Sequence, residues 1–117
     1  MAKIYIEETD CKVTMAKINI KGTDYEVRRD DLNNRDLASA DGLCRIYSKE
    51  IIVRKKEFMD CDSDYREKHV MRHELIHAIA EECGVSYGEN EELVDWIAHI
   101  IPHVNKAMDD LKEAGVI

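Results

Sequence analysis

The sequence predicts an α+β domain, with antiparallel β-hairpins in its first half and helices in its second. Before Asp60 apolar and polar residues alternate, the period of half-buried strands, and beyond it the apolar residues recur at helical spacing to the end. The length of 117 residues allows one modest core and not two, so residues 1–117 read as a single domain.

The elements follow in order. "VTMAKINI" and "YEVRR" alternate on either side of "KGTD", which predicts a hairpin with Gly22 in its turn. The opening "MAKIYI" nearly repeats as "MAKINI" from Met15, so residues 1–14 read as a further edge strand or as an extension ahead of an alternative start. Asp30 to Gly42, "DDLNNRDLASADG", reads as a polar loop with room for one helical turn. "LCRIYSKEIIVRK" predicts a second hairpin, whose strongest strand signal is β-branched Ile51, Ile52 and Val53. A helix is expected from a cap at Ser63 or Asp64 to about Cys83, stopped by Gly84. After "GVSYGE" comes a helix, "NEELVDWIAHI", with Leu93, Trp96, Ile97 and Ile100 as its apolar stripe. Pro102 then reads as a break, or as the first turn of another helix.

Composition narrows the function classes. Hydrophobic residues at 44% beside 36% charged ones fit a soluble globular chain, and a single Pro with five Gly excludes a low-complexity linker. The net charge of −8, with Lys and Arg scattered, argues against a nucleic-acid or anionic-membrane surface. No apolar run approaches the roughly 18–20 residues of a membrane span, and "MAKIYIEETDCK" has no long apolar core of a signal peptide. The expectation is a cytosolic protein. Cys11, Cys44, Cys61 and Cys83 are too far apart for a CxxC knuckle, and in a reducing compartment they read as buried or idle thiols.

The chemistry gathers in "MRHELIHAIAEECG", which contains His73-Glu74-x-x-His77. At about 100° per residue, Met71, Leu75, Ala78 and Ile79 share one side of the helix, flanked by Ile76 and Cys83. His73 and His77 lie about 40° apart, roughly opposite that arc. Such a pair is either solvated or the floor of a cleft beneath another element. The short connection to "NEELVD" returns the chain as an antiparallel neighbour able to reach the first helix. Catalytic zinc takes three protein ligands and leaves a fourth position open, and two His with a Glu supply that set. Asp95, one turn beyond Glu91, is placed to accept a hydrogen bond from a ligand histidine and fix its tautomer.

Rival ligands are present. Glu92 is adjacent to Glu91 but points about 100° away. Cys83 stands at the third-ligand spacing of HExxHxxGxxH, yet Ala80 replaces the turning Gly, and on a continuous helix it lies about 9 Å beyond His77. His69, His73 and His77 form an i, i+4, i+8 series whose ends are about 12 Å apart, so His69 reads as exposed or cleft-lining. His99 and His103 read as surface or helix-end residues, Tyr87 as a loop residue that is either packed or an oxyanion partner. "EFMDCDSDYREK" is a solvated helix start with acids near the positive end of the dipole.

HExxH followed by N-E-x-x-x-D resembles the gluzincin arrangement of thermolysin-like peptidases. The longer stretch "RHELIHAIAEECG…NEELVDWIAHIIP", with "DGLCRIYSKEIIVRK" upstream, is similar to the small zincin-like proteins encoded by phages and prophages, relatives of the ImmA/IrrE peptidases. The resemblance spans most of Lys17 to His103. It implies a small zincin-like fold, His73 and His77 as Zn²⁺ ligands, Glu91 as the third, and Glu74 as the catalytic base.

The expected chemistry is hydrolysis of a protein or peptide substrate. Zinc lowers the pKa of water from about 15.7 towards 7 and polarises the scissile carbonyl, while Glu74 takes the water's proton and hands it to the leaving amine. A substrate strand is expected to lie along Ile51 to Arg54. The alternatives are a zincin-fold regulatory or binding module with a structural or vestigial zinc site, and a helical core whose histidines are incidental.

Overall fold

The computed structural model describes residues 3–7, 12–30, 37, 40–55, 59 and 64–117. It is a small α+β structure in which a mixed, five-stranded sheet is followed by two helices. The strands are β1 (Lys3–Glu7), β2 (Lys12–Ile20), β3 (Thr23–Asp30), β4 (Gly42–Arg45) and β5 (Glu50–Arg54). The helices are α1 (Asp64–Cys83) and α2 (Glu91–Glu113), joined through a 3₁₀ turn at Ser86–Glu89. No helix among the described residues is long and apolar enough to cross a membrane. The expected loop over Asp30–Gly42 and the Ser63 cap fall largely outside the described residues, as do Cys11 and Cys61.

Both hairpins form. Ile20 pairs with Thr23, leaving Lys21 and Gly22 as a two-residue turn with φ of 50° and 95°, a left-handed pair that follows the twist of the strands. The segment Lys3–Glu7 pairs antiparallel with β2 as an edge strand. What alternation does not reveal is how the hairpins join. The strand order is β1-β2-β3-β5-β4, and β3 runs parallel to β5, with Glu26 opposite Glu50 and Asp30 opposite Arg54. The chain leaves β3, passes one strand position to lay down β4, and returns through β5 into the gap.

This overturns one expectation. Ile51, Ile52 and Val53 are fully buried in an interior strand, so Ile51–Arg54 cannot be the edge that receives a substrate. An unbroken apolar run is what a strand covered on both faces requires. Among the described residues the edge on this side of the sheet is β4.

Helix α1 has two buried sides. Val70 and Ala78, with Met71 and Leu75 beside them, pack on Tyr25, Ile51 and Val53 of the sheet. Ile76 packs instead on Val94 and Ala98 of α2, with Ile97 and Ile101 alongside. Ile79, expected near the centre of a single apolar arc, falls outside both contacts and is 45% exposed. The stripe of α2 is likewise rotated from the expected one: Val94 and Ala98 are buried, whereas Trp96 is 59% exposed.

The helix ends have local causes. Gly84, at φ 70°, closes α1 with bonds from Gly84 N to Glu81 O (3.1 Å) and from Val85 N to Ala80 O (3.0 Å), a Schellman stop. Asn90 caps α2, its side chain accepting from Leu93 N at 3.0 Å. Pro102 does not break the chain into further helices; it sits inside one 23-residue helix. Its missing N–H forfeits one internal bond, which the packing of Val94, Ala98 and Ile101 before it outweighs.

Glu82 ties the end of α1 to the sheet. Thr23 Oγ1 donates to its Oε1 at 2.7 Å, while Tyr25 Oη and Lys49 Nζ donate to Oε2 at 2.7 and 2.9 Å. The bonds from Tyr25, Thr23 and Lys49 hold its carboxyl down at about 2. A carboxyl whose folded pKa lies below the unfolded value of about 4.3 stabilises the fold above that value and loses this contribution as pH falls towards the folded pKa. Glu82→Gln is therefore expected to melt at lower temperature than wild type at pH 7, with the gap closing between about pH 4.3 and 2. Melting curves of both proteins across that range check it; a gap independent of pH would remove the carboxylate's charge from the explanation.

Candidate metal centre

Helical spacing places His69, His73 and His77 in one row along α1, and α2 returns antiparallel with Glu91, Asp95 and His99 at the same four-residue spacing. His73 and His77 therefore face α2 rather than open solvent, with side chains 16% and 12% exposed.

His73 Nε2 lies 2.8 Å from Glu91 Oε2, and His77 Nε2 lies 2.9 Å from Glu91 Oε1. The two Nε2 atoms are 3.3 Å apart. A tetrahedral centre with zinc–nitrogen bonds of about 2.0–2.1 Å separates its nitrogens by roughly that distance. On its other side, His73 Nδ1 is 3.2 Å from Asp95 Oδ1. A neutral imidazole has one N–H, and His73 has a carboxylate at each nitrogen. With the proton on Nδ1 for Asp95, a bare Nε2 lone pair faces Glu91 and His77, an arrangement that a cation completes. The donor set of His73, His77 and Glu91 is the N₂O set of catalytic zinc sites, so these residues fit that ion.

Comparison with known proteins yields no relative: no family model matches the chain, and no curated protein or solved structure does. The site therefore has to be read from its own geometry.

The rival ligands are placed elsewhere. Glu92 borders a separate surface hollow with Asn90, Leu93 and Trp96. Cys83 is exposed and belongs to neither group of the described residues that can gather round an ion. Cys44 lines the neighbouring hollow from β4 but belongs to neither group, and burial, with the Glu74 charge adding to the effect, pushes its thiol up to about 12. His69 is not exposed: it is 4% accessible, with Nε2 2.8 Å from Asp95 Oδ1. That contact first, and His73 second, hold the Asp95 carboxyl below its usual range. His99 is half exposed and its ring centroid is 4.2 Å from that of His69, while His103 is exposed. The side chain of Tyr87 lies outside the described residues.

Glu74 is buried between α1 and the start of β4, and it lines the hollows on both sides of that seam. Burial pushes its carboxyl up; His73 and His77 oppose the shift and Glu91 reinforces it. One hollow, about 380 Å³, runs between Gly42–Cys44 of the edge strand and Glu74, His77 and Glu91. The strand lies tight against α1 at Gly42, which sequence alone did not single out. A Cβ there would lie 2.6 Å from Val70 Cγ1 and 2.9 Å from both Glu74 Cγ and Oε2. Only a residue without a side chain lets the strand approach this closely, and the sole signal in the sequence was a Gly opening a strand.

Gly42→Ala is expected to displace the Glu74 carboxylate and, as overpacking does, to destabilise the protein by about 1–3 kcal/mol. Urea unfolding of the variant measures the cost. Unchanged stability would mean that β4 moves away from α1 freely.

Proposed function

We propose that the protein is a zinc-dependent peptidase-like protein of the gluzincin type, hydrolysing peptide bonds in a protein substrate. The observation that carries this reading is the convergence of one nitrogen each from His73 and His77 and one carboxylate oxygen of Glu91, all within 4.8 Å of one another, with Asp95 at the other nitrogen of His73. His73, His77 and Glu91 would hold the ion. When bound, zinc supplies a Lewis acid that activates water near neutral pH and polarises a carbonyl.

The other steps belong to the chain's own groups. Asp95 keeps the His73 proton on Nδ1, and so keeps Nε2 available as a ligand atom. Glu74 follows the first ligand in sequence, yet its carboxylate is not part of the converging set. It is a buried carboxyl bordering both hollows, its pKa raised by burial, and a carboxylate so placed can accept a proton from water and return it to a leaving amine. The peptide acceptor is β4, whose outer edge has no strand neighbour among the described residues and borders the hollow beside Glu74 and His77. A substrate segment would extend the sheet there by backbone hydrogen bonds.

Glu91→Ala is expected to abolish tight zinc binding and Glu92→Ala to leave it intact. Asp95→Ala should fall between, weakening affinity by on the order of 10–100-fold. Competition with a zinc chelator measures all three, and a larger loss from Glu92→Ala would put the wrong carboxylate at the ion. Glu74→Gln should keep the fold and the zinc while lowering cleavage of a cellular substrate by at least about 10²–10⁴-fold. Equal cleavage by wild type and Glu74→Gln, both loaded with zinc, would rule out the proposed base. Partner capture without cleavage by either protein would favour a zincin-fold binding module.

A further inference from the structure

The facing rows of α1 and α2 contain the same donor set twice. One rung takes His73 and His77 from α1 and Glu91 from α2; the next takes His69 from α1 with Asp95 and His99 from α2. Each rung has two imidazoles and one carboxylate, and within each the ligand atoms lie within 4.8 Å of one another. The proposed function uses the first rung and, from the second, only one oxygen of Asp95.

We propose that His69, Asp95 and His99 form a second site for a divalent transition-metal ion. His69 is its floor: the residue is 4% exposed and its Nε2 faces Asp95 Oδ1 at 2.8 Å. His99 is its mouth. Its Nε2 stands 3.6 Å from Asp95 Oδ2, beyond hydrogen-bonding distance, although its ring is held 4.2 Å from that of His69. One ligand atom from each of the three residues lies within 4.8 Å of the other two, close enough to gather round a single ion with modest side-chain adjustment. The side chains of Asp95 and His99 are 48% and 52% exposed, so an ion reaches the site directly from solvent.

The donor chemistry sets the class of ion. Two imidazoles with one carboxylate suit Zn²⁺, Co²⁺, Ni²⁺ or Cu²⁺, whereas Ca²⁺ and Mg²⁺ require oxygen-rich sets. Asp95 gives the site its second property. Its Oδ1 accepts from His73 Nδ1 while Oδ2 faces His99, so one carboxylate touches both rungs. An ion on the second rung draws charge from the carboxylate that orients His73, and the two sites are coupled through it.

The test is zinc stoichiometry of the full chain, stripped of metal and titrated with zinc alone, with circular dichroism confirming that each variant is folded. Wild type is expected to bind about two zinc ions per chain, the second more weakly because its carboxylate, Asp95, is shared with His73. His99→Ala should retain only the tighter ion, His77→Ala only the weaker, and His103→Ala both. A wild type that binds one ion, lost in His77→Ala and kept in His99→Ala, overturns the second site and leaves the proposed function standing. One ion lost in His99→Ala and kept in His77→Ala supports the second site and removes the zinc-peptidase reading. A second ion that disappears in His103→Ala but survives in His99→Ala also overturns the proposal.

Discussion

Helix α1 is packed on two sides, and the rest of the structure follows from that. The sheet takes Val70 and Ala78, α2 takes Ile76, and the polar side chains between these contacts lie in the seams. Burying an imidazole or a carboxylate without a partner is costly, and the partners come from α2. Glu91 and Asp95 face α1 because Val94 and Ala98, on neighbouring turns, are anchored there by apolar contact. The same contact turns Trp96 outward. Apolar packing thus sets the phase of α2, and the phase decides which acid meets which histidine.

The sheet contributes through its order. Because β5 is inserted between β3 and β4, the strand that lies against Glu74 is an edge among the described residues, with its outer side unpaired by any described strand. Had β4 and β5 followed β3 in simple succession, the fully apolar Ile51–Val53 run would have formed that edge, and an exposed edge of this kind invites aggregation. Gly42 completes the arrangement by letting the strand approach α1 without displacing the carboxylate.

Much of this was legible in the sequence, for particular reasons. The hairpins showed as alternation around Lys21-Gly22, and α1 showed as a helix stopped by Gly84. The clustering of His73, His77 and Glu91 followed from i, i+4 spacing and a short connection. The parallel β3–β5 pair was not legible, since strand periodicity carries no information about which neighbour a strand takes. Nor was the rotation of either helix. A single apolar arc on α1 puts Ile79 inside, whereas two narrower arcs exist and Ile79 falls outside both; of the two readings of His69, the cleft-lining one agrees with its place beside His73, Glu74 and Asp95. A helix covered on two sides spreads its apolar residues around its circumference, and the periodic signal cancels. Pro102 misled for a related reason: propensity describes an isolated helix, and tertiary contact overrides it.

Pro102 also divides α2 energetically. Before it, Val94, Ala98 and Ile101 are held by α1; after it, Val104, Met108 and Leu111 are 52%, 50% and 41% exposed. Helical order spreads cooperatively because each added residue gains a hydrogen bond, and at this point one rung of that ladder is missing. The outer turns can therefore open and close as a unit of low local stability while the turns bearing Glu91, Asp95 and His99 stay closed. Proteolytic nicking or thermal opening of these turns would begin beyond the proline and stop short of the histidine seam, so Pro102 separates a loosely held outer segment from the turns that carry Glu91, Asp95 and His99.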